Sequence, residues 1–428
     1  MSQNGIPCMF LARQTFERPR VDDIRARVFE QLDSLFSPPD SRQPLSPGAR
    51  VGVTVGSRGI KNIAEVAAAA VEFLKLRGFQ PFILPAMGSH AGATSEGQRN
   101  LIAHYGVTET TMGCPVLSGM ATRSLGRSAE NIEVFVAQTA LDCDGVLLLN
   151  RVKPHTDYKG PIESGLTKIC AIGLGKLEGA REYHSRVFDV GLGRALRIAA
   201  ERIIQTGKIL GGLAIIENAY HETARIAAVP LTNFFDQEAK LLLEACKLMG
   251  SLPISDLDLL VCDRMGKNIS GTGMDTNVIG RGVRGHVEGV PWIEGMPAIY
   301  RIFVRGLTDE TEGNAVGMGL ADFTTPKMMN RVNLGITQLN SFTARSPSGA
   351  RPPVVLPNDR EAIMTALSTC PPRLAGPRIA HIRDTLSLDR LLLSEGLREE
   401  AEKIPRLEIL GQSEPMQFDT EGWLQSPL

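Results

Sequence analysis

The sequence predicts an α/β protein whose N-terminal domain contains a largely parallel sheet with flanking helices. Two observations indicate this class. Between residues 50 and 218, short runs rich in valine, isoleucine and leucine alternate with longer segments of helical spacing. The short runs are apolar throughout instead of alternating with polar residues, which is typical of parallel strands covered on both faces.

The elements of this first domain follow an N-terminal arm and a break rich in proline and serine. The arm carries a short amphipathic helix over 21–36, and the break covers 37–48. The predicted strands are 50–56, 80–88, 145–150 and 211–218. The predicted helices are 60–78, 93–106 and 191–207, and each of them ends in glycine.

A second α/β domain is expected to follow a boundary near residue 255. The two predicted domains are therefore 1–255 and 256–428, of which the second is smaller and is expected to close a cleft between them. Strands are predicted over 256–266 and 299–307. Helices are predicted over 326–342, 359–370 and 388–403.

Composition excludes several classes of function. The 428 residues include 46 basic and 47 acidic side chains, a balance that argues against binding to nucleic acid. Apolar runs are too short to predict a membrane span, and the first 20 residues lack the apolar core of a secretory signal. Seven cysteines without paired spacing favour a reducing compartment, so the protein is expected to be cytoplasmic.

Two histidines follow predicted strands of the same sheet. His90 lies in "AMGSHAG" and His155 in "VKPHTDY". Ligands of such sheets bind at the carboxyl ends of the strands, so the two imidazoles are expected at one site. A histidine pair suits proton transfer near neutral pH, or metal binding together with an acid such as Asp157, and the residue pattern leaves both roles open.

An arginine and a lysine have comparable positions. Arg58, in "TVGSRGI", follows the first strand and opens a helix, where a guanidinium can grip a carboxylate or phosphate or simply be solvated. Lys168, in "ESGLTKICAIGLG", precedes an apolar stretch. A lysine that is partly buried there becomes nucleophilic, whereas one that extends to solvent stays an ordinary cation.

Three segments together resemble the lactate racemase family, whose members use a nickel-pincer nucleotide. They are "GSHAG", "KPHTDYKGPIESGLTK" and "EGAREYH", and the resemblance covers residues 45–230. It implies that Lys168 attaches the cofactor, that His184 binds its nickel, that His90 and His155 are the catalytic pair, and that Arg58 holds the substrate carboxylate. The glycine-rich "DRMGKNISGTGMD" marks a branch distinct from lactate racemase itself.

The resemblance implies an isomerase, a racemase or epimerase of a small-molecule 2-hydroxy acid that acts by hydride transfer. Its implied partners are the enzymes that make the cofactor, so protein produced without them is expected to lack it. Two alternatives stay open: a metal-dependent hydrolase or lyase that uses His90 and His155, and a binding protein without cofactor.

Polar residues beyond this set predict a substrate larger or more polar than lactate. Glu163 and the segment 267–275 supply polar groups that a methyl side chain does not need, and Lys267 and Asn268 are the predicted substrate contacts. In the alternative interpretation, Glu163 is solvated or pairs with Lys159 or Lys168 and selects no substrate.

Overall fold

The computed structural model describes residues 5–37, 45–57 and 59–428. These residues form two compact units. One unit runs from 18 to 249, and the other combines the N-terminal residues up to 17 with residues 250–428. Arg58 lies outside the described residues.

The described helices are mostly short, and none of those within 5–37, 45–57 and 59–428 has the length and apolarity that a bilayer crossing requires. They are α1 (Ile24–Phe36), α2 (Ile63–Leu76), α3 (Ser95–His104), α4 (Glu109–Met112), α5 (Gln138–Leu141), α6 (Leu166–Lys168), α7 (Leu174–Ser185), α8 (Leu192–Ile204), α9 (Phe234–Leu248), α10 (Thr276–Ile279), α11 (Pro326–Met329), α12 (Leu334–Thr343), α13 (Asp359–Ser368) and α14 (Arg398–Ala401).

The strands form two large sheets and one hairpin. They are β1 (Cys8–Gln14), β2 (Arg50–Val55), β3 (Gln80–Pro85), β4 (Thr122–Arg127), β5 (Glu133–Ala137), β6 (Gly145–Arg151), β7 (Ile209–Glu217), β8 (Thr223–Val229), β9 (Asp256–Cys262), β10 (Ala298–Val304), β11 (Phe323–Thr324), β12 (Val354–Val355), β13 (Ile379–Asp384), β14 (Ser387–Ser394) and β15 (Leu407–Pro415).

The sheet of the 18–249 unit has the order β3-β2-β6-β7-β8, in which only β8 is antiparallel to its neighbour. Helices cover both faces. Along β6, Leu147 and Leu149 pack with α1 and α2, whereas Val146 and Leu148 pack with α8 and α9. Burial on both faces explains why the strands are apolar throughout, and the predicted α/β class is confirmed.

The other unit is built on an eight-stranded sheet of order β12-β11-β10-β9-β13-β14-β1-β15. The first five strands are parallel, and the last three pair in antiparallel fashion. The N-terminal strand β1 lies between β14 and β15, which are almost 400 residues away in sequence. The interpretation of the N-terminus as an arm of the first domain therefore differs from the structure over residues 5–17, since backbone pairing with distant strands leaves no local signal.

The helix predicted over 388–403 is wrong in its first half. Residues up to Ser394 form β14, and only Arg398–Ala401 is α-helical. Leu388, Leu391 and Leu393 are buried in β14, which is hydrogen-bonded to β13 on one side and to β1 on the other. A run of leucines is compatible with helix or strand, and here the two neighbouring strands decide.

One helical segment, residues 166–185, is irregular in two places. A π turn at Ile169–Gly173 separates α6 from α7, and Lys176 inside α7 has φ 53° and ψ −148°. Both irregularities are the kind that cluster at functional sites, because neighbouring structure must hold the backbone there against its preference.

The side chain of Lys176 holds this segment against the loop that follows β3. The residue is fully buried, and its Nζ donates to the Pro85 carbonyl at 2.5 Å and to Gln98 Oε1 at 3.1 Å. Gln98 Nε2 in turn donates to the carbonyls of Met87 and Gly88. Burial lowers the pKa of the Lys176 ammonium to about 8. This network fixes the path of the chain directly before His90.

We expect Lys176→Met to destabilise the protein. Methionine keeps most of the aliphatic volume but leaves the Pro85 carbonyl and Gln98 Oε1 without their buried donor, at a cost of roughly 1–3 kcal/mol in the free energy of unfolding. Urea titration measures this difference. Lys240→Met, at an exposed position of α9, is the matched control and should leave the free energy unchanged. Equal midpoints and slopes for Lys176→Met and the unaltered protein would show that the network does not stabilise the fold.

Candidate functional site at the carboxyl edge of the parallel sheet

The topology of the 18–249 unit brings three polar side chains to one edge of its sheet. Ser57 follows β2, His90 follows β3 and His155 follows β6. Because β2 pairs in parallel with both β3 and β6, all three strands end at the same edge. The edge expected from the sequence is therefore formed, with the two histidines on either side of β2.

His90 is exposed and is linked to the end of β2. Ser57 Oγ lies 2.8 Å from His90 Nδ1. The next three residues, 91–93, have φ of 54°, 68° and 53°, and two of them are alanines. Side-chain-bearing residues rarely adopt this left-handed conformation, so the turn stores strain next to the candidate site.

His155 and Lys168 are in direct contact. Lys168 Nζ lies 2.7 Å from His155 Nε2, and the backbone N–H of Asp157 donates to His155 Nδ1 at 3.0 Å. The backbone therefore occupies Nδ1, and Nε2 is the ring nitrogen that faces the Lys168 amine.

The electrostatic surroundings keep His155 neutral. Its pKa lies well below the usual 6.5, chiefly because burial disfavours the charged ring. The positive charges of Lys168, His184, Lys159 and Lys153 lower the pKa further, in that order. A neutral imidazole keeps one lone pair, so it can act as a base and take a proton from a neighbouring group.

His184 belongs to the same helical segment as Lys168. Lys168 ends α6, and His184 is in the last turn of α7. The effect of His184 on the pKa of His155 shows that the two rings share one electrostatic environment. The structure thus groups three of the predicted site residues: His155, Lys168 and His184.

Glu163 closes the loop that carries His155 and is 6% exposed. Its carboxylate accepts from the backbone N–H of His155 at 2.5 Å and pairs with Lys159 Nζ at 3.0 Å. The alternative interpretation in which Glu163 pairs with Lys159 is therefore confirmed. These partners engage the carboxylate within its own loop, and the expectation that this acid supplies an extra polar group for substrate stays a prediction.

Arg151 and Glu217 were missed in the sequence. They end β6 and β7 and form an ion pair at the same edge of the sheet. Glu217 Oε1 also accepts from the backbone N–H of Lys61 at 2.7 Å, and Thr223 Oγ1 donates to the Lys61 carbonyl at 3.2 Å. These bonds hold the turn between β2 and α2. The sequence does contain a signal for this pair, because a charged residue follows the apolar run of each of these two strands.

Lys267 and Asn268 lie in the other unit, on the loop after β9. Lys267 Nζ donates to the carbonyl of Gly271 at 2.8 Å, and Asn268 Oδ1 accepts from Thr308 Oγ1 at 2.7 Å. Both side chains thus contribute to the conformation of their own loop. Their role in binding substrate stays a prediction.

Within the part of the chain that the structure describes, no three or more histidine, cysteine, aspartate or glutamate residues are grouped as a metal site. A cofactor-held metal with one protein ligand, as implied for His184, does not require such a group. A site built on His90, His155 and Asp157 together does require one.

The comparison with solved structures gives the fold. The chain is similar to the lactate racemase apoprotein from Thermoanaerobacterium thermosaccharolyticum, with a TM-score of 0.51 and 13% sequence identity. The likeness covers 89% of this chain and 99% of that one. No protein-family model matches the chain, and the search of curated proteins gives no significant match. The protein therefore has a lactate-racemase-like α/β fold.

Proposed function

We propose that the protein is a racemase or epimerase of a 2-hydroxy acid that carries a nickel-pincer nucleotide on Lys168. The contact of 2.7 Å between Lys168 Nζ and His155 Nε2, at the carboxyl edge of a parallel sheet, is the observation that supports it best. It joins a lysine amine, the group that covalent attachment needs, to an imidazole that can take a substrate proton. The fold of the lactate racemase apoprotein agrees with this reading.

The chemistry of the residues present fits the cofactor. Lys168 would hold it covalently, and His184, on the same helical segment, would provide an imidazole for the nickel. When bound, the group supplies a carbon that can take a hydride from a substrate and give it back. Attachment would use the Lys168 amine that contacts His155 Nε2, and this ring nitrogen would then be the one that faces a substrate hydroxyl.

The histidines would move the proton that accompanies the hydride. Removing a hydride from Cα and a proton from the hydroxyl turns a 2-hydroxy acid into a 2-keto acid. Returning both to the opposite face of the planar carbon gives the other enantiomer, so the reaction is redox-neutral. His155 and His90, on either side of β2, would each serve one enantiomer.

Arg58 would bind the substrate carboxylate in bidentate fashion and so align Cα. Support comes from its neighbours, since Glu217 and Thr223 hold the turn at Lys61 in place. With Glu163 engaged by Lys159, the case for a substrate larger than lactate depends mainly on the segment 267–275.

Mass analysis tests the attachment site. Protein co-produced with the cofactor-making enzymes should carry an added mass on the peptide that contains Lys168, and Lys168→Ala should be unmodified, inactive and folded. Lys240→Ala is the control that should still be loaded. An active protein without modification at Lys168 would refute the assignment.

Isotope tracing tests the reaction. Loaded enzyme should invert single enantiomers of 2-hydroxy acids in deuterated water while the Cα hydrogen is retained, because hydride transfer does not exchange that hydrogen with solvent. Chiral chromatography with mass detection, run over a panel that includes lactate and sugar acids, reads both properties. Incorporation of deuterium at Cα during inversion would point instead to proton abstraction.

The low pKa of His155 predicts acid destabilisation. The unfolded imidazole takes up a proton as pH falls through 6.5 while the folded one does not, so folding stability is lost below pH 6.5. The loss is up to about 1.4 kcal/mol per pH unit.

Chemical denaturation at pH 7.5 and 5.5 measures this loss. His155→Gln should show a shallower pH dependence than the unaltered protein, whereas His104→Gln, at an exposed position of α3, should not. Identical pH dependence in all three proteins would contradict a neutral, buried His155.

A further inference from the structure

Glu238 is a buried acid for which the proposed reaction has no use. It lies on α9 and is 1% exposed, among the apolar residues that pack against β6 and β7. Burial raises the pKa of its carboxyl to about 7, although hydrogen bonds from Thr167 and Leu166 lower it. An acid kept in such a place needs partners that compensate for its loss of water.

Those partners are the residues just before Lys168. The backbone N–H of Thr167 donates to both carboxylate oxygens of Glu238, at 3.1 and 3.0 Å, and Thr167 Oγ1 donates to Oε2 at 2.5 Å. The amide of Leu166 also donates to the carboxylate. The first amides of a helix lack partners within the helix, so Glu238 supplies from α9 what a local cap would otherwise provide.

Gly165 makes this arrangement possible. A Cβ at this position would lie 2.0 Å from Glu238 Oε1 and 3.1 Å from Val152 Cγ2, so any larger residue would displace the carboxylate. The carbonyl of Gly165 is fixed as well, because Asn150 Nδ2 donates to it at 2.7 Å from the end of β6. The peptide before Lys168 is thus held by side chains from two different elements.

We propose that Glu238 is a positioning residue, which fixes the turn before Lys168 so that the lysine amine meets His155. Lys168 stands between this anchored turn and the π turn at Ile169–Gly173. A helix that frayed at Thr167 would let Lys168 swing away from the 2.7 Å contact. The proposal rests on the proposed function only in assigning cofactor attachment to Lys168. The contacts of Glu238 are those of the protein without cofactor.

The test compares four variants of the full-length, cofactor-free chain. Glu238→Ala removes the acceptor, Glu238→Gln keeps one acceptor oxygen, and Thr167→Val removes only the hydroxyl donor. Glu244→Gln is the matched control, since Glu244 lies on the same helix but pairs with Arg225. Two readouts are taken: amide hydrogen exchange over residues 165–170, and the acylation rate of Lys168 by an N-hydroxysuccinimide ester, relative to exposed Lys240, by peptide mass analysis.

For Glu238→Ala we expect exchange over 165–170 to be roughly tenfold faster or more, since the hydrogen bonds from the Thr167 amide and hydroxyl to the buried carboxyl are lost. Acylation of Lys168 should differ on the order of tenfold from that of the unaltered protein, because the amine leaves its contact with His155 Nε2 and its reactivity depends on that surrounding. Glu238→Gln should recover most of both values, Thr167→Val should be intermediate, and Glu244→Gln should match the unaltered protein. If Glu238→Ala acted only by destabilising the whole protein, Glu238→Gln would not restore the exchange and acylation values.

The proposal is overturned if folded Glu238→Ala shows the exchange and Lys168 acylation of the unaltered protein. If Glu238→Ala does not fold, Thr167→Val decides: values equal to the unaltered protein at both readouts overturn the proposal, and the expected shift supports it. These outcomes are independent of the proposed function. If the unaltered protein never gains the mass of the cofactor, the proposed function is refuted. The exchange and acylation measurements still test the positioning role of Glu238 in that case.

Discussion

Parallel pairing of β2 with β3 and with β6 is the constraint on which the candidate site depends. His90 and His155 are distant in sequence and lie in loops of different length. They reach the same edge only because parallel strands end together, and β2 separates them by the width of one strand. The same pairing brings the turn after β2, held by Glu217, to that edge. Loss of register in β2 would move every one of these groups.

Two buried ionisable side chains link the interior to this edge. Lys176 ties α7 to the loop before His90, and Glu238 ties α9 to the turn before Lys168. A buried ionisable group costs free energy unless hydrogen bonds compensate for its loss of water. These two side chains position the backbone, because hydrogen bonds are directional and apolar contacts are not. Each side chain holds a backbone segment that lies one to a few residues before a proposed site residue, which is His90 for Lys176 and Lys168 for Glu238.

The loop 155–163 shows how one charged cluster can serve structure and site together. Glu163 binds the backbone of His155 and the amine of Lys159, so the loop is closed by its own charges. His155 then faces Lys168 with both ring nitrogens engaged. Polar residues near a site are therefore weak support for a polar substrate, because many of them form hydrogen bonds and ion pairs within their own loop.

The sequence by itself determined the α/β class, the strands β2, β3, β6 and β7, the helices α1, α2, α3 and α8, and the placement of His90 and His155 after strands. These follow from local signals: apolar runs, helical spacing and the residues that end each element. Only the tertiary structure decided that 388–394 is a strand, that β1 joins the second sheet, and that Glu163 pairs with Lys159. It also decided the contacts of Glu238 with Thr167 and of Lys176 with Gln98, because these pairs are more than 70 residues apart and leave no periodic pattern in the chain.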